Sequence, residues 1–242
     1  MIREFAKSIP AVRHAVIRKR MKNGVTGQSD EGAILRRLSD ELSAPKTFVE
    51  FGFHPAEFNC AALTDDHQGL LIDGNPHHVE DARHFLPKSI TTQQRFLTLE
   101  NLDIVRSAFP EIGVLSIDVD GNDYWFTEAL IETNPAILVV EYNASFLHNA
   151  VTVEYDPSFD RSKKHRTGWY HGASLTALTR LAQRNGYGLA AVSTAGGNAF
   201  FTRSGHLDPE TAWRPSTLRN EWSGTTAEQQ WAAVREMPYV QI

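Results

Sequence analysis

The chain has 242 residues, 41% hydrophobic and 22% charged, with a formal net charge of −5. That is the make-up of one well-buried globular domain with additions, or at most two small ones, and it offers no electrostatic case for nucleic acid. The single Cys60 excludes an intrachain disulfide and a cysteine-based zinc site and fits a reducing, cytoplasmic setting, while no apolar run approaches the ~18 residues of a membrane span and no signal-peptide pattern is present.

The first 22 residues depart from this average: Arg3, Lys7, Arg13, Arg18, Lys19, Arg20 and Lys22 are opposed by Glu4 alone. Phe5, Ile9, Val12 and Val16 recur at helical spacing, so the segment is expected to be an amphipathic helix, packed with its basic side in water or serving as a lid. A helix over 30–43 follows, capped by Asp30, with Ile34, Leu35, Leu38 and Leu42 on one side. Strand 47–53 comes next, then a helix over 55–62 opened by Pro55, strand 69–73, and a helix over 76–86 opened by Pro76. A short strand at 95–99 and a helix over 101–108 lead to two apolar runs that stop at acids and amides. The first is Val114-Leu-Ser-Ile-Asp118-Val-Asp120-Gly121-Asn122-Asp123 and the second Ala136-Ile-Leu-Val-Val-Glu141-Tyr142-Asn143, with a helix over 123–131 between them. Residues 144–172 read as a long polar loop, and loops of that length are usually functional. A helix over 173–185, a hairpin of strands 189–193 and 198–202, and a tail with a helix over 227–236 complete the chain.

Alternating strands and helices with short connections predict an α/β fold: a Rossmann-like, doubly wound, seven-stranded sheet, mostly parallel, closing in a C-terminal antiparallel hairpin. The chain then divides into a basic N-terminal helix or lid (1–27), a core domain (28–204) with a substrate loop at 144–172, and a C-terminal extension (205–242). In such folds a ligand sits outside the carboxyl ends of the strands. The interval from Gly52 to Asp73 is 21 residues, the spacing of a glycine turn and an acid that holds a ribose diol. Gly52 lets the backbone approach the ligand, and Gly74 and Asn75 continue the second turn. The first turn has His54, Pro55 and Ala56 where a dinucleotide site needs further glycines. A cofactor with ribose and adenine but no phosphate, such as S-adenosylmethionine, suits it better.

These residues resemble the FkbM-like methyltransferases within the class I S-adenosylmethionine-dependent enzymes. The resemblance spans about 28–203 and is carried by Gln28-Ser-Asp-Glu-Gly-Ala-Ile-Leu35, Phe48-Val-Glu-Phe-Gly52, Leu70-Leu-Ile-Asp73-Gly-Asn75, Leu115-Ser-Ile-Asp-Val-Asp-Gly-Asn-Asp-Tyr-Trp125, Val139-Val-Glu-Tyr-Asn143, Tyr170-His-Gly-Ala-Ser-Leu175 and Asn198-Ala-Phe-Phe201. It implies methyl transfer to a hydroxyl of a natural product or sugar, with Glu50 and Gly52 lining the cofactor, Asp73 on its ribose and Asp118 beside its methionine end. The turn at His54 departs from the family's glycine- and acid-rich pattern.

The chemistry requires an oriented acceptor and removal of its proton. Asp118 and Asp120, and Glu141 and Asn143, stand two apart and share strand faces if the strands continue. Together they would make an oxygen-rich site for Mg²⁺ or another divalent cation, similar to that of catechol-type O-methyltransferases. The alternative for 120–123 is a turn and helix cap. His171, at the end of the long loop, is the candidate base, with Asp118 and Asp120 beside it. The expected partner is a small-molecule hydroxyl acceptor, not nucleic acid or membrane; the oligomeric state is open, a homodimer included. Two rival readings are a metal-dependent glycosyltransferase using Asp118-Val-Asp120 and a non-catalytic binding domain of the same fold.

Overall fold

Short runs whose side chains are almost all buried make the centre of the molecule: Phe48 to Phe51, Gly69 to Ile72, Val114 to Ile117, Ile137 to Val140 and Asn198 to Thr202. Continuous rather than alternating burial marks strands covered on both faces. The computed structural model describes residues 10–21 and 27–242. In chain order its elements are α1 (Pro10–Arg20), α2 (Glu31–Leu42), β1 (Thr47–Phe51), β2 (Gln68–Asp73), α3 (Pro76–Phe85), β3 (Ile90–Gln94), α4 (Asp103–Arg106), β4 (Val114–Ile117), α5 (Asp123–Leu130), β5 (Ile137–Glu141), β6 (Val151–Thr152), α6 (Arg161–Lys164), α7 (Leu175–Arg184), β7 (Gly188–Val192), β8 (Asn198–Thr202), α8 (Pro209–Ala212), α9 (Thr217–Ser223), α10 (Ala227–Val234) and β9 (Val240–Gln241).

The main sheet has the order β3-β2-β1-β4-β5-β8-β7. Its first five strands are parallel, β8 runs antiparallel to β5, and β7 antiparallel to β8. The fold is therefore the expected doubly wound α/β sheet with a terminal hairpin. Val49, Phe51, Leu115, Ile117, Leu138 and Val140 face one core with α5 and α7. Phe48, Leu71, Val114, Val139 and Phe200 face the other, with α2 and the 3-10 turn Asn59–Leu63. Chain order reverses between β1 and β4, which is where a ligand crevice opens in such sheets.

The expected helix over 55–62 is replaced by a turn closed by a His54–Glu57 bridge and the 3-10 turn Asn59–Leu63. Glu50 is the cause: its carboxylate accepts from the backbone N–H of Asn59 and of Cys60, both at 2.8 Å. Burial pushes the Glu50 carboxyl up to about 7, against those two hydrogen bonds. Asn59 extends this buried polar stripe to Ser116 and Asn198, and Asn198 reaches Glu31. Glu31 accepts from Ser29 N–H at 2.7 Å and so shapes the segment that carries Gln28.

The third strand is Ile90–Gln94, not 95–99, because Ile90-Thr91-Thr92 supplies the β-branched residues that pair with β2. The helix expected over 101–108 is one turn, Asp103–Arg106. Asp30 does not cap α2; its Oδ1 accepts from Thr194 N–H in the hairpin at 2.9 Å. In α1 it is Ile17 that is buried, while Val12 and Val16 are exposed. That helix is held to α3 by Arg13, which pairs with Asp81 at 3.0 Å and Glu80 at 2.7 Å. The Phe5 and Ile9 part of the expected amphipathic pattern lies outside the described residues.

Segment 144–172 is not an open loop. It contains β6 and α6, and β6 pairs with β9 at the far end of the chain. No helix among the described residues is long and apolar enough to cross a membrane.

Replacing Glu50 by Ala strands two buried N–H groups and should cost about 2–4 kcal/mol in urea unfolding. Glu50→Gln keeps one acceptor oxygen and should cost roughly half as much; no cost for Glu50→Gln would show that the contribution of Glu50 is packing alone.

Candidate functional site

A cleft of about 700 Å³ opens over the carboxyl ends of β1, β2, β4 and β5. One wall is the first turn. Gly52 has φ +78°, and a Cβ there would stand 1.4 Å from the carbonyl oxygen of Asp118, so only glycine lets β1 and β4 close on each other at this point. His54 lines the cleft, and burial, with a further push from His78, lowers its imidazole to about 4, so it is neutral near pH 7.

Asp73 ends β2 in the same cleft. Its carboxylate accepts from Phe53 N–H at 3.2 Å and Asn75 N–H at 2.6 Å, which holds it across the two turns. Asn75 also caps α3 by accepting from His77 N–H at 3.0 Å. Gly74 gives room for Phe96, whose ring would lie 3.1 Å from a Cβ at position 74. Phe96 is 61% exposed, an aromatic face available at the rim. Gly52, His54, Asp73, Gly74, Asn75 and Asp118 all line the cleft; Glu50 does not, since its carboxylate is spent on the turn below.

The β4 turn separates its acids into different tasks. The strand ends at Ile117, and Asp120 has φ +57°, so the two-residue periodicity expected to align Asp118 with Asp120 does not extend to them. Asp123 is fully buried and accepts from Val119 N–H (2.9 Å) and Gly121 N–H (3.0 Å), folding the turn. Asn122 tethers the 144–172 segment by donating to Asp156 O at 2.8 Å. Asp120 points outward to Arg161 of α6 at 2.5 Å. Asp118 faces the cleft, and no hydrogen bond to its carboxylate is found among the described residues. Tyr124 and Trp125 sit behind: Tyr124 is buried and accepts from Arg184, and Trp125 donates to Val153 O.

Glu141, at the end of β5, is the other cleft carboxylate. Desolvation, followed by the charges of Asp120 and Asp123, pushes Glu141 up to about 8. Desolvation likewise raises Asp123 to about 7 and Asp118 well above the usual carboxylate range, the latter reinforced by Glu141.

His171 does not reach the cleft. It is 1% exposed, its Nδ1–H donates to Gly168 O at 2.8 Å, and its Nε2 faces the Arg219 guanidinium at 3.2 Å. Burial and then the Arg219 charge hold it well below the usual histidine range. It is thus a neutral, buried group that does not line the cleft.

Of the expected cation ligands Asp118, Asp120, Glu141 and Asn143, the structure brings Asp120 and Glu141 together and engages Asn143 elsewhere. The Asn143 oxygen accepts from Ser145 N–H at 3.0 Å and Arg219 Nη1 at 2.6 Å, while its amide donates to Trp169 O and His171 O. The groups that do converge are Asp120, Glu141 and His171, with one ligand atom each, all within 4.8 Å of one another.

Sequence reasoning missed Phe96 and Phe126 on the cleft wall, the pairing of Arg161 with Asp120, and Arg219 altogether; Phe159 and Arg161 line the cleft as members of the substrate loop. Phe159 packs against Gly121 and has no local signal beyond its place in a polar segment. Arg219 comes from the tail, and nothing in its neighbours' sequence points to the cleft.

No family model matches the chain, and no curated protein matches it in sequence. Among solved structures it is similar to the O-methyltransferase from Bacillus cereus in complex with SAH (15% identity, 70% of this chain and 78% of that one, TM-score 0.46). It is also similar to magnesium protoporphyrin IX methyltransferase from Synechocystis with bound SAH (12%, 72% and 82%, 0.44) and to the N-terminal domain of EvdMO1 with SAH bound (10%, 78% and 94%, 0.45). At this level the likeness says nothing about reaction or ligand.

Asp123 and Glu141, raised to about 7 and about 8 in the folded chain, bind protons more tightly there than when unfolded. Their stabilising share is complete below the ordinary carboxylate range and is lost as pH rises through those values. The melting temperature of the free protein should therefore fall between about pH 5 and pH 8, and Glu141→Gln should flatten that fall. A melting temperature that climbs across this range would contradict the assignment.

Proposed function

We propose that the protein is an S-adenosylmethionine-dependent methyltransferase acting on a hydroxyl of a small-molecule acceptor, such as a natural product or sugar. One observation carries the reading: one end of the cleft gathers carboxyl groups that burial holds back from ionising, with Asp118 and Glu141 facing it and Asp120 and Asp123 close behind. Buried like charges are costly unless a cation joins them. A sulfonium cofactor with its ammonium group brings that charge itself, whereas the diphosphate of a sugar nucleotide would need a divalent ion between it and Asp118-Val-Asp120, where Asp120 is already paired with Arg161 at 2.5 Å. This electrostatic argument favours methyl transfer over the glycosyltransferase reading of Asp118-Val-Asp120.

In the proposed arrangement Asp73 accepts from the two ribose hydroxyls, the Phe96 ring covers the adenine, and Gly52 gives the cofactor chain access to Asp118. The acceptor enters beside Asp120 and Glu141, under Phe159 and Arg161. Once the sulfonium is bound, the cluster gains a positive charge and Glu141 ionises. Its carboxylate takes the hydroxyl proton as the acceptor oxygen attacks the methyl carbon. The carbon–sulfur bond breaks, and its electron pair returns to sulfur, leaving S-adenosylhomocysteine. The work of the chain is orientation and proton removal in a site screened from water.

Calorimetry tests this directly. Asp73→Ala should weaken S-adenosylhomocysteine binding by about 1–3 kcal/mol through the lost charged hydrogen bonds. Asp118→Asn should weaken S-adenosylmethionine roughly tenfold more than S-adenosylhomocysteine, because only the former carries the sulfonium charge. Binding of sugar nucleotides without either adenosyl ligand would overturn the proposal.

A further inference from the structure

The strand-end acids already have a protein cation within reach. Arg219, on α9 of the C-terminal extension, points inward and donates from Nη1 to Asn143 Oδ1 (2.6 Å) and Ser145 Oγ (2.9 Å). Its Nη2 lies 3.2 Å from His171 Nε2. The His171 tautomer is set by the Nδ1–H bond to Gly168 O, so Nε2 presents a lone pair to the guanidinium. Orientation of one ring nitrogen by a backbone carbonyl, with the other aimed at a positive centre, is how a metal-ligating histidine is usually held. Here the positive centre is an arginine. Glu141 and Asp120 are the acids whose charges favour it.

The extension is fastened at several points, which keeps this guanidinium in register. Tyr142 donates its hydroxyl to Arg214 O at 2.8 Å, Ser145 donates to Gln230 Oε1 at 2.6 Å, Tyr170 donates to Pro238 O, and β9 pairs with β6. A second guanidinium, Arg161, covers Asp120 at 2.5 Å. Two arginine charges thus stand beside the would-be ligands: Arg161 takes the Asp120 oxygen, and Arg219 takes the Asn143 oxygen and the His171 nitrogen.

We infer that Arg219 is the resident cation of the acceptor site, a positioning residue that holds Asn143 and His171 beside Glu141 in place of a bound divalent metal. The inference builds on the proposed methyl transfer only for its chemical meaning; the identity of the cation stands on the geometry. One consequence is specific to it. Removing the guanidinium leaves Asp120, Glu141 and His171, within 4.8 Å of one another, as an unblocked set of metal donors. Replacement by lysine keeps the charge and leaves the set blocked.

The experiment is Mn²⁺ binding to the full chain by electron paramagnetic resonance and calorimetry. The original protein and Arg219→Lys should take up no stoichiometric Mn²⁺, whereas Arg219→Ala should bind one ion at least about tenfold more tightly than either. Adding Glu141→Gln to Arg219→Ala should abolish that gain. Each variant is first checked for a cooperative melt and for S-adenosylhomocysteine affinity, and a variant without a cooperative melt is replaced by Arg219→Gln, which removes the charge with a smaller change in volume. Stoichiometric Mn²⁺ on the original protein, lost in Glu141→Gln, would overturn the inference, as would equal Mn²⁺ affinity in the alanine and lysine variants. Failure of the original protein to bind either adenosyl ligand would sink the methyltransferase reading and leave the Mn²⁺ comparison valid.

Discussion

Four carboxylates meet at the carboxyl ends of β4 and β5, and their mutual repulsion away from bulk water is the constraint that the surrounding structure answers. Asp118, Asp123 and Glu141 are all raised; desolvation is the largest cause for each, and the charge of Asp120 adds to it. An isolated buried carboxylate is costly, and a group of them is tolerated only with hydrogen-bond donors or cations at hand. The chain supplies both. Backbone N–H groups of the β4 turn take Asp123, Arg161 takes Asp120, and Arg219 sets its charge toward Glu141. Asp118 is left facing the cleft.

The arrangement depends on sheet topology. Parallel strands deliver all their carboxyl ends to one edge, and the reversal between β1 and β4 opens a gap there. Gly52 makes that gap narrow, because its missing side chain lets the backbones of the first and fourth strand ends touch. Beneath, Glu50 ties the first turn to the sheet, and its network through Asn59 and Asn198 to Glu31 fixes the segment bearing Gln28. Residues with similar chemistry therefore do different things a few ångströms apart. Glu50 holds backbone and Glu141 faces the cleft, although both are acids near the ends of buried strands.

How far this was legible in the sequence varies with the range of the interaction. The strands around Phe48, Leu71, Val114, Val139 and Phe200 read correctly because a doubly covered strand is a continuous apolar run. The second turn read correctly because Asp73-Gly74-Asn75 is a local pattern whose backbone hydrogen bonds span two residues. The helix after β1 was misread because Pro55 is an ordinary helix opener, and the Glu50 carboxylate that redirects the chain approaches from the strand. Asp118 and Asp120 were aligned on the premise that the strand continues; the positive φ of Asp120 depends on a turn folded by a buried Asp123. His171 looked exposed and titratable in a polar loop, and became buried when that loop was closed by the C-terminal strand.

By itself, the sequence determined the α/β class, the closing hairpin, the edge of the sheet where the cleft opens, and the acids gathered there. These follow from periodicities and turn chemistry that act over a few residues, where the intrinsic preferences of the chain prevail. Only the tertiary structure decided which acids face the cleft, which cap a turn, and which cation answers them. Arg219 lies 76 residues from Asn143 and 48 from His171, and no local rule connects them. Their meeting is set by the pairing of β9 with β6 and by the packing of the tail on the core. Electrostatics in a low-dielectric site acts through space, and its partners are chosen by where the fold places charge.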